Sequence, residues 1–150
     1  MSQRQTKQEQ AISKQTGKLI EAAFRAREKA YAPYSRFLVG AALLCADGTV
    51  DTGCNIENAS YPAGNCAERT AIFKAVSDGK RDFSAICIVG GRAGEEVEYC
   101  PPCGICRQVC AEFCDAGTFR IILARSESEY REYTLGELLP LGFGAAQLSG

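Results

Sequence analysis

Two short stretches hold the residues best suited to chemistry: Cys66-Ala67-Glu68-Arg69 and Pro102-Cys103-Gly104-Ile105-Cys106. Thirty-six residues lie between Cys66 and Cys103, room for a helix, a strand and a loop. A distant cysteine joined to a Cys-x-x-Cys pair can supply three ligands to one metal ion. Structural zinc takes four protein ligands, whereas catalytic zinc takes three and keeps a position for water. Glu68, two residues past the first cysteine, can reach that position without binding the metal. A Lewis acid that acidifies water and a carboxylate that carries its proton are the needs of a hydrolytic site. The chain has no histidine, so the three ligands would all be sulfur.

The elements that must hold these residues follow in chain order. Residues 1–16 are rich in Gln and Lys and are expected to form a flexible tail. Residues 17–150 are then a single domain, the usual outcome for a chain of 150 residues. Leu19, Ala23, Ala26 and Ala30 share one helical face, predicting an amphipathic helix from about Gly17 to Tyr31, stopped before Pro33. The apolar run Phe37–Cys45, the turn Asp47-Gly48 and the stretch Thr49–Gly53 predict a β-hairpin, with Asp-Gly supplying positive φ angles. Asn55 to Tyr61 is a polar loop at a strand end, a common place for ligand contacts. Helices are expected over Cys66–Ser77 and Cys103–Cys114, and strands over Ser84–Gly90 and Phe119–Ala124. Thr134 and Glu137 fit a capping box at a short last helix. This order predicts an α/β fold, one mixed sheet with helices on both faces.

Both ligand sets would sit at helix N-termini, where free N–H groups and the positive end of the dipole favour thiolate over thiol. Three thiolates on a divalent zinc ion leave a formal negative charge that would weaken the acidification of water. A nearby cation is therefore expected. Arg69, one turn after Cys66, is the first candidate and Arg107 the second.

Composition bounds the partners. A net charge of −1 argues against a nucleic-acid groove, and no apolar run is long enough to span a membrane. Nine cysteines, odd in number and clustered, fit metal binding in a reducing compartment better than a disulfide framework. A cytoplasmic protein is the expectation. Cys45, Cys54 and Cys87 fall in strand-like stretches and read as small buried hydrophobes.

Other readings of the cysteines stay open. Cys100, Cys103, Cys106 and Cys110 also match the spacing of an iron–sulfur run, although Ala111 stands where a proline usually follows. A structural zinc site would recruit Cys100 or Cys110 as fourth ligand. An iron–sulfur electron carrier would not explain Cys66-Ala67-Glu68 or the Asn55–Glu57 segment.

Cys66-Ala67-Glu68-Arg69-Thr70-Ala71 and Pro102-Cys103-Gly104-Ile105-Cys106-Arg107-Gln108 resemble the zinc motifs of the small homotetrameric cytidine deaminases. The stretch from Thr52 to Tyr61 resembles their nucleoside-binding segment, and Tyr34 to Ala41 their first strand. The likeness runs from about Ala32 to Phe143. It implies a three-layer α/β/α cytidine deaminase-like fold with one Zn²⁺ per subunit on Cys66, Cys103 and Cys106. The implied activity is hydrolysis of cytidine and deoxycytidine to uridine and deoxyuridine with release of ammonia, a step of pyrimidine salvage. Water activated at the metal would attack C4, with Glu68 as proton shuttle. The resemblance also implies that Asn55 and Glu57 hold the ribose hydroxyls, that the Ala67 backbone contacts the base, and that Phe37 packs on the nucleoside. Ala59 and Tyr61 belong to the same substrate-binding segment. The stretch from Leu138 to Gly144 resembles the family's C-terminal segment, whose aromatic ring covers the cytosine of an adjacent subunit. Phe143 would do so here, in a homotetramer with shared sites, and Tyr61 would also act across subunits. Related folds act on bases within polynucleotides; a carboxylate at Glu57 suits a neutral sugar better than a phosphate.

Overall fold

The computed structural model describes residues 2–149. Five strands form one sheet: β1 (Phe37–Cys45), β2 (Val50–Cys54), β3 (Phe83–Arg92), β4 (Arg120–Ala124) and β5 (Tyr130–Thr134), in the order β2-β1-β3-β4-β5. The β3–β4 pair is parallel and the others are antiparallel, so the sheet is mixed, as the element order predicts. Side chains of β1 alternate between its faces. Ala42 and Leu44 meet Leu19, Ile20 and Ala23 of α1 (Ser2–Arg27) on one side. Ala41 and Leu43 meet Ala67, Ala71, Ile72 and Ala75 of α2 (Ala67–Ser77) on the other. Cys110 of α3 (Gly104–Phe113) and Leu135 of α4 (Leu135–Leu138) join that second face. Strands buried on both faces read as unbroken apolar runs, which is why β1 and β3 stand out in the sequence.

Small residues let α2 approach closely. A Cβ on Gly53 of β2 would lie 2.5 Å from the backbone nitrogen of Ala71 and 2.6 Å from the carbonyl oxygen of Ala67. The helix backbone therefore rests directly on β2, which fixes where α2 begins.

The hairpin forms as predicted, but with a different turn. Of its two turn residues only Gly48 has positive φ, at 88°. Asp47 contributes its side chain, whose Oδ1 accepts from the Thr49 N–H and hydroxyl. The Thr134–Glu137 capping box is present at α4.

Helix α1 differs at both ends from the predicted span. It continues to Ser2, because Gln, Lys and Glu are good helix formers. It stops at Arg27 because the Tyr31 backbone pairs instead with the loop after β2. Tyr31 N–H donates to the Asn55 carbonyl at 3.0 Å and Glu57 N–H donates to the Tyr31 carbonyl at 2.8 Å. Strand β5 is absent from the prediction. It is a polar edge strand whose Tyr-Arg-Glu-Tyr-Thr sequence shows no apolar face. Cys45 and Cys87 are buried as expected, while Cys54 is only partly so, and all nine cysteines are free.

Residues 7–15 of α1 are exposed, whereas Thr16 is buried and accepts from Arg120 at 3.2 Å. We propose that the stretch before Thr16 adds a helical extension on which the domain does not depend. A chain beginning at Ser13 is expected to keep its melting temperature within about 3 °C, the shift of roughly 1 kcal/mol at this size. A differential scanning fluorimetry comparison checks it.

Candidate active site

The three sulfurs converge because two helices start at the same place. Cys66 is the N-cap of α2 and Cys103 the N-cap of α3, both with extended backbone. N-caps are usually Ser, Thr, Asp or Asn, whose side chains bond back to the helix. Neither cysteine makes such a bond, so each sulfur is free to face the other. The Sγ atoms of Cys66 and Cys103 lie 3.8 Å apart, and those of Cys66, Cys103 and Cys106 all fall within 4.8 Å of one another. Tetrahedral zinc with bonds of about 2.3 Å needs sulfurs roughly 3.8 Å apart, so this donor set fits the metal. Cys100, Cys110 and Cys114 stand outside the group. Cys110 is spent in the core under α3, which removes the four-cysteine iron–sulfur arrangement.

Charge at the cluster is shared unevenly. The Cys66 thiol is pushed down to about 5, first by a hydrogen bond from Cys106 and then by Arg69. Cys106 is pushed up by the same bond, with its burial adding to it. Arg69 Nη2 donates to Cys66 Sγ at 3.3 Å. Its Nε is buried without a hydrogen-bond partner. Arg107 is turned away from them. It donates to the carbonyls of Pro102 at 2.8 Å and Leu138 at 2.6 Å, tying the start of α3 to the end of α4.

Glu68, in the first turn of α2, is 4% exposed. Burial pushes its carboxyl up, and the neighbouring Cys66 charge pushes the same way, against a bond from Cys106. A carboxyl so placed is suited to hold a proton and release it.

Beside the sulfurs opens a cleft of about 480 Å³, within the range of small-molecule sites. Asn55, Glu57, Tyr61, Cys66 and Arg69 all line it. The Glu57 carboxylate accepts from the N–H groups of Tyr34 and Ser35, each at 3.0 Å, and from the Ser35 hydroxyl. The Ser35 bonds hold its pKa below the usual range. Asn55 acts as an extra rung of the sheet: its Oδ1 accepts from Val39 N–H at 2.9 Å and its Nδ2 donates to the Phe37 carbonyl at 2.8 Å. Tyr61 packs edge-on against Tyr34, centroids 6.2 Å apart.

Other predicted residues lie apart from the cleft. Phe37 opens β1, part-exposed, its ring over Gly90. Ala59 is exposed on the loop, and the Ala67 side chain is buried in the core with only its backbone at the start of α2. Phe143 lies outside α3, where Gln108 Nε2 donates to its carbonyl at 2.8 Å. Within one chain it borders a separate hollow with Cys114 and Leu139.

Tyr34, Ser35 and Asn65 were not singled out by the sequence, yet all three line the cleft. Asn65 bridges to Ile56 by two backbone hydrogen bonds of 2.9 and 2.8 Å, linking the loop after β2 to Cys66. Only tertiary pairing reveals that link. Ser35 could have been suspected, since a hydroxyl two residues before an aromatic strand start often bonds locally.

Residues 13–122 match the family described as the cytidine and deoxycytidylate deaminase zinc-binding region. The chain is 52% identical over 132 residues to a cytidine deaminase of Sporosarcina psychrophila, covering 88% of this chain and 93% of the relative. The crystal structure of a cytidine deaminase from Burkholderia pseudomallei superposes with a TM-score of 0.75 at 51% identity, covering 83% of this chain and 96% of that one. The cytidine deaminase structure from Mycobacterium tuberculosis gives a TM-score of 0.72 at 41% identity, covering 84% and 94%.

The geometry makes a separable forecast about the cysteines. Serine at Cys66, Cys103 or Cys106 should each cost most of the bound zinc. Serine at Cys100, Cys110 or Cys114 should leave about one zinc per chain, because these sulfurs lie outside the triad. Metal analysis of the purified variants decides. Loss of metal from Cys100→Ser or Cys110→Ser would mean a four-thiolate structural site.

Proposed function

The chain belongs to the cytidine and deoxycytidylate deaminase family, and from that premise we propose how its own residues carry the reaction. It is a zinc-dependent cytidine deaminase, a hydrolase that converts cytidine and water to uridine and ammonia. The single observation that carries the reading is the triad of sulfurs beside a buried carboxylate, at the edge of a nucleoside-sized cleft. Cys66, Cys103 and Cys106 would hold zinc, which when bound would supply a Lewis acid that lowers the pKa of water.

Glu68 accepts a proton from the attacking water and delivers it to N3 of the cytosine. It then takes the remaining proton from the new C4 hydroxyl and passes it to the exocyclic amine, so that the C4–N bond breaks, ammonia leaves and the C4 carbonyl forms. Its burial supports this role, since the neutral and ionised forms must both be within reach. Arg69 offsets the negative charge of the thiolates. Asn55 and Glu57 hold the ribose, and Glu57, kept ionised by its N–H and hydroxyl donors, favours a neutral sugar over a phosphate. That favours free nucleosides, deoxycytidine included, over polynucleotides. The Ala67 backbone meets the base and the Phe37 ring packs against the nucleoside, with Ala59 and Tyr61 on the loop that carries Asn55 and Glu57.

Assembly into a homotetramer completes the site. Tyr61 is 78% exposed at the cleft, Ile105, between two ligands, is 61% exposed, and Phe143 is 57% exposed. Apolar side chains left bare around a polar centre call for a cover. A neighbouring chain would bring Phe143 over the base, excluding bulk water. A cytoplasmic location fits nine free cysteines.

Glu68→Gln keeps the shape and loses the proton acceptor. Turnover of cytidine, followed by ultraviolet absorbance, is expected to fall by at least about 10²–10⁴-fold with zinc retained. A variant with a tenth of wild-type activity would refute the role. Sharing of sites has its own test. Glu68→Gln and Phe143→Ala, each nearly inactive, are mixed under subunit exchange. Partial recovery of activity is expected, since some sites then pair an intact Glu68 with an intact Phe143. A fully active monomer by light scattering would contradict it.

A further inference from the structure

One residue outside the cleft holds the backbone around Phe37. Arg27 is the last residue of α1. Its Nε donates to the Leu38 carbonyl at 3.0 Å, and its Nη2 to the Gly91 carbonyl at 2.8 Å, with a longer contact to the Arg92 carbonyl at 3.5 Å. Leu38 faces Gly91 across β1 and β3, and Phe37 faces Arg92. One guanidinium thus bridges the two central strands at the register where Phe37 enters the sheet. From the β2 side, Asn55 holds the Phe37 carbonyl and the Val39 N–H. The backbone on either side of the ring is therefore clamped from two directions. The clamp has a rigid base, because a Cβ on Gly40 would overlap the backbone of Ala23 and Arg27, so α1 sits directly on β1. The ring itself lies over Gly90, where a Cβ would come within 3.1 Å of its Cε1.

We propose that Arg27 is a positioning residue for substrate binding: it sets the Phe37 ring, and through it the affinity for cytidine, without touching the nucleoside. The proposal rests on the reading of Phe37 as the ring that packs against the nucleoside. The planar fork matters, because Nε and Nη2 reach carbonyls of two different strands in one fixed plane. A lysine ammonium is a single point on a flexible stem and cannot span both in that geometry. Lysine does keep the positive charge that favours a helix C-terminus, so it separates the clamp from a general helix-end effect.

The test uses zinc-loaded enzyme and cytidine. Arg27→Lys, Arg27→Met, Phe37→Ala and the double variant Arg27→Lys with Phe37→Ala are compared for KM, kcat and melting temperature. Arg27→Lys is expected to raise KM roughly fivefold, through misplacement of the ring, while kcat changes by less than about twofold. Arg27→Met should raise KM further; if it fails to fold, Arg27→Lys alone carries the comparison. In the Phe37→Ala background, Arg27→Lys should add nothing to KM. A fall in melting temperature with KM unchanged would reduce Arg27 to a structural role and overturn the proposal. So would an equal multiplication of KM with and without the Phe37 ring. If Phe37→Ala by itself leaves KM unchanged, the reading of Phe37 fails, and the proposal falls for that separate and visible reason.

Discussion

Everything in this molecule depends on two helices beginning at one point. The N-termini of α2 and α3 meet where their N-cap cysteines can share a ligand. An N-cap normally spends its side chain on the helix's own free N–H groups. Here the sulfurs are directed at each other, and the helix ends contribute positive potential to a cluster that must carry negative charge. Backbone dipoles at the two helix N-termini and Arg69, 3.3 Å from Cys66, both bring positive potential to the sulfurs. The close seat of α2 on Gly53 leaves no room there for a Cβ, which holds the start of α2, and Cys66 with it, against β2.

The same geometry explains why Glu68 behaves unlike a surface carboxylate. It follows the N-cap by two residues on a helix whose inner face is Ala67, Ala71 and Ala75. Small side chains draw the helix onto the sheet and draw Glu68 out of water with it. Burial then raises its proton affinity, and the Cys66 charge reinforces the effect. Packing thus gives this carboxyl the raised proton affinity that a proton carrier needs.

Much of this was legible in the sequence because it is local or periodic. The Cys66–Glu68 and Cys103–Cys106 spacings fix which side chains share a helix end, and the apolar runs of β1 and β3 mark strands buried on two faces. Arg69 was legible for a similar reason, one turn from Cys66. What stayed hidden is tertiary. Arg107 sits nearer to a predicted ligand in sequence than Arg69 does, directly after Cys106, yet carbonyls of Pro102 and Leu138 claim it. The bridge of Asn65 to Ile56 and the early end of α1 at Arg27 both arise from pairing between distant backbones. Strand β5 lacks an apolar face because it lies at the sheet edge. Arg36 takes a left-handed conformation, φ 59°, that no arginine advertises.

Binding and chemistry are joined through backbone rather than through one side-chain chain. The loop after β2 carries Asn55 and Glu57, pairs with the stretch before Cys66, and braces the start of β1. Cleft and metal centre thus share one frame. The claim that this frame makes a hydrolytic zinc site is tested most directly by returning metal to metal-free protein. Zinc is titrated in while ammonia released from cytidine is measured. Turnover should rise from near zero and level off at about one zinc per chain, the capacity of the three-sulfur group, the only such group among the described residues. Ammonia release that is independent of zinc, or absent at every zinc load, would contradict the account.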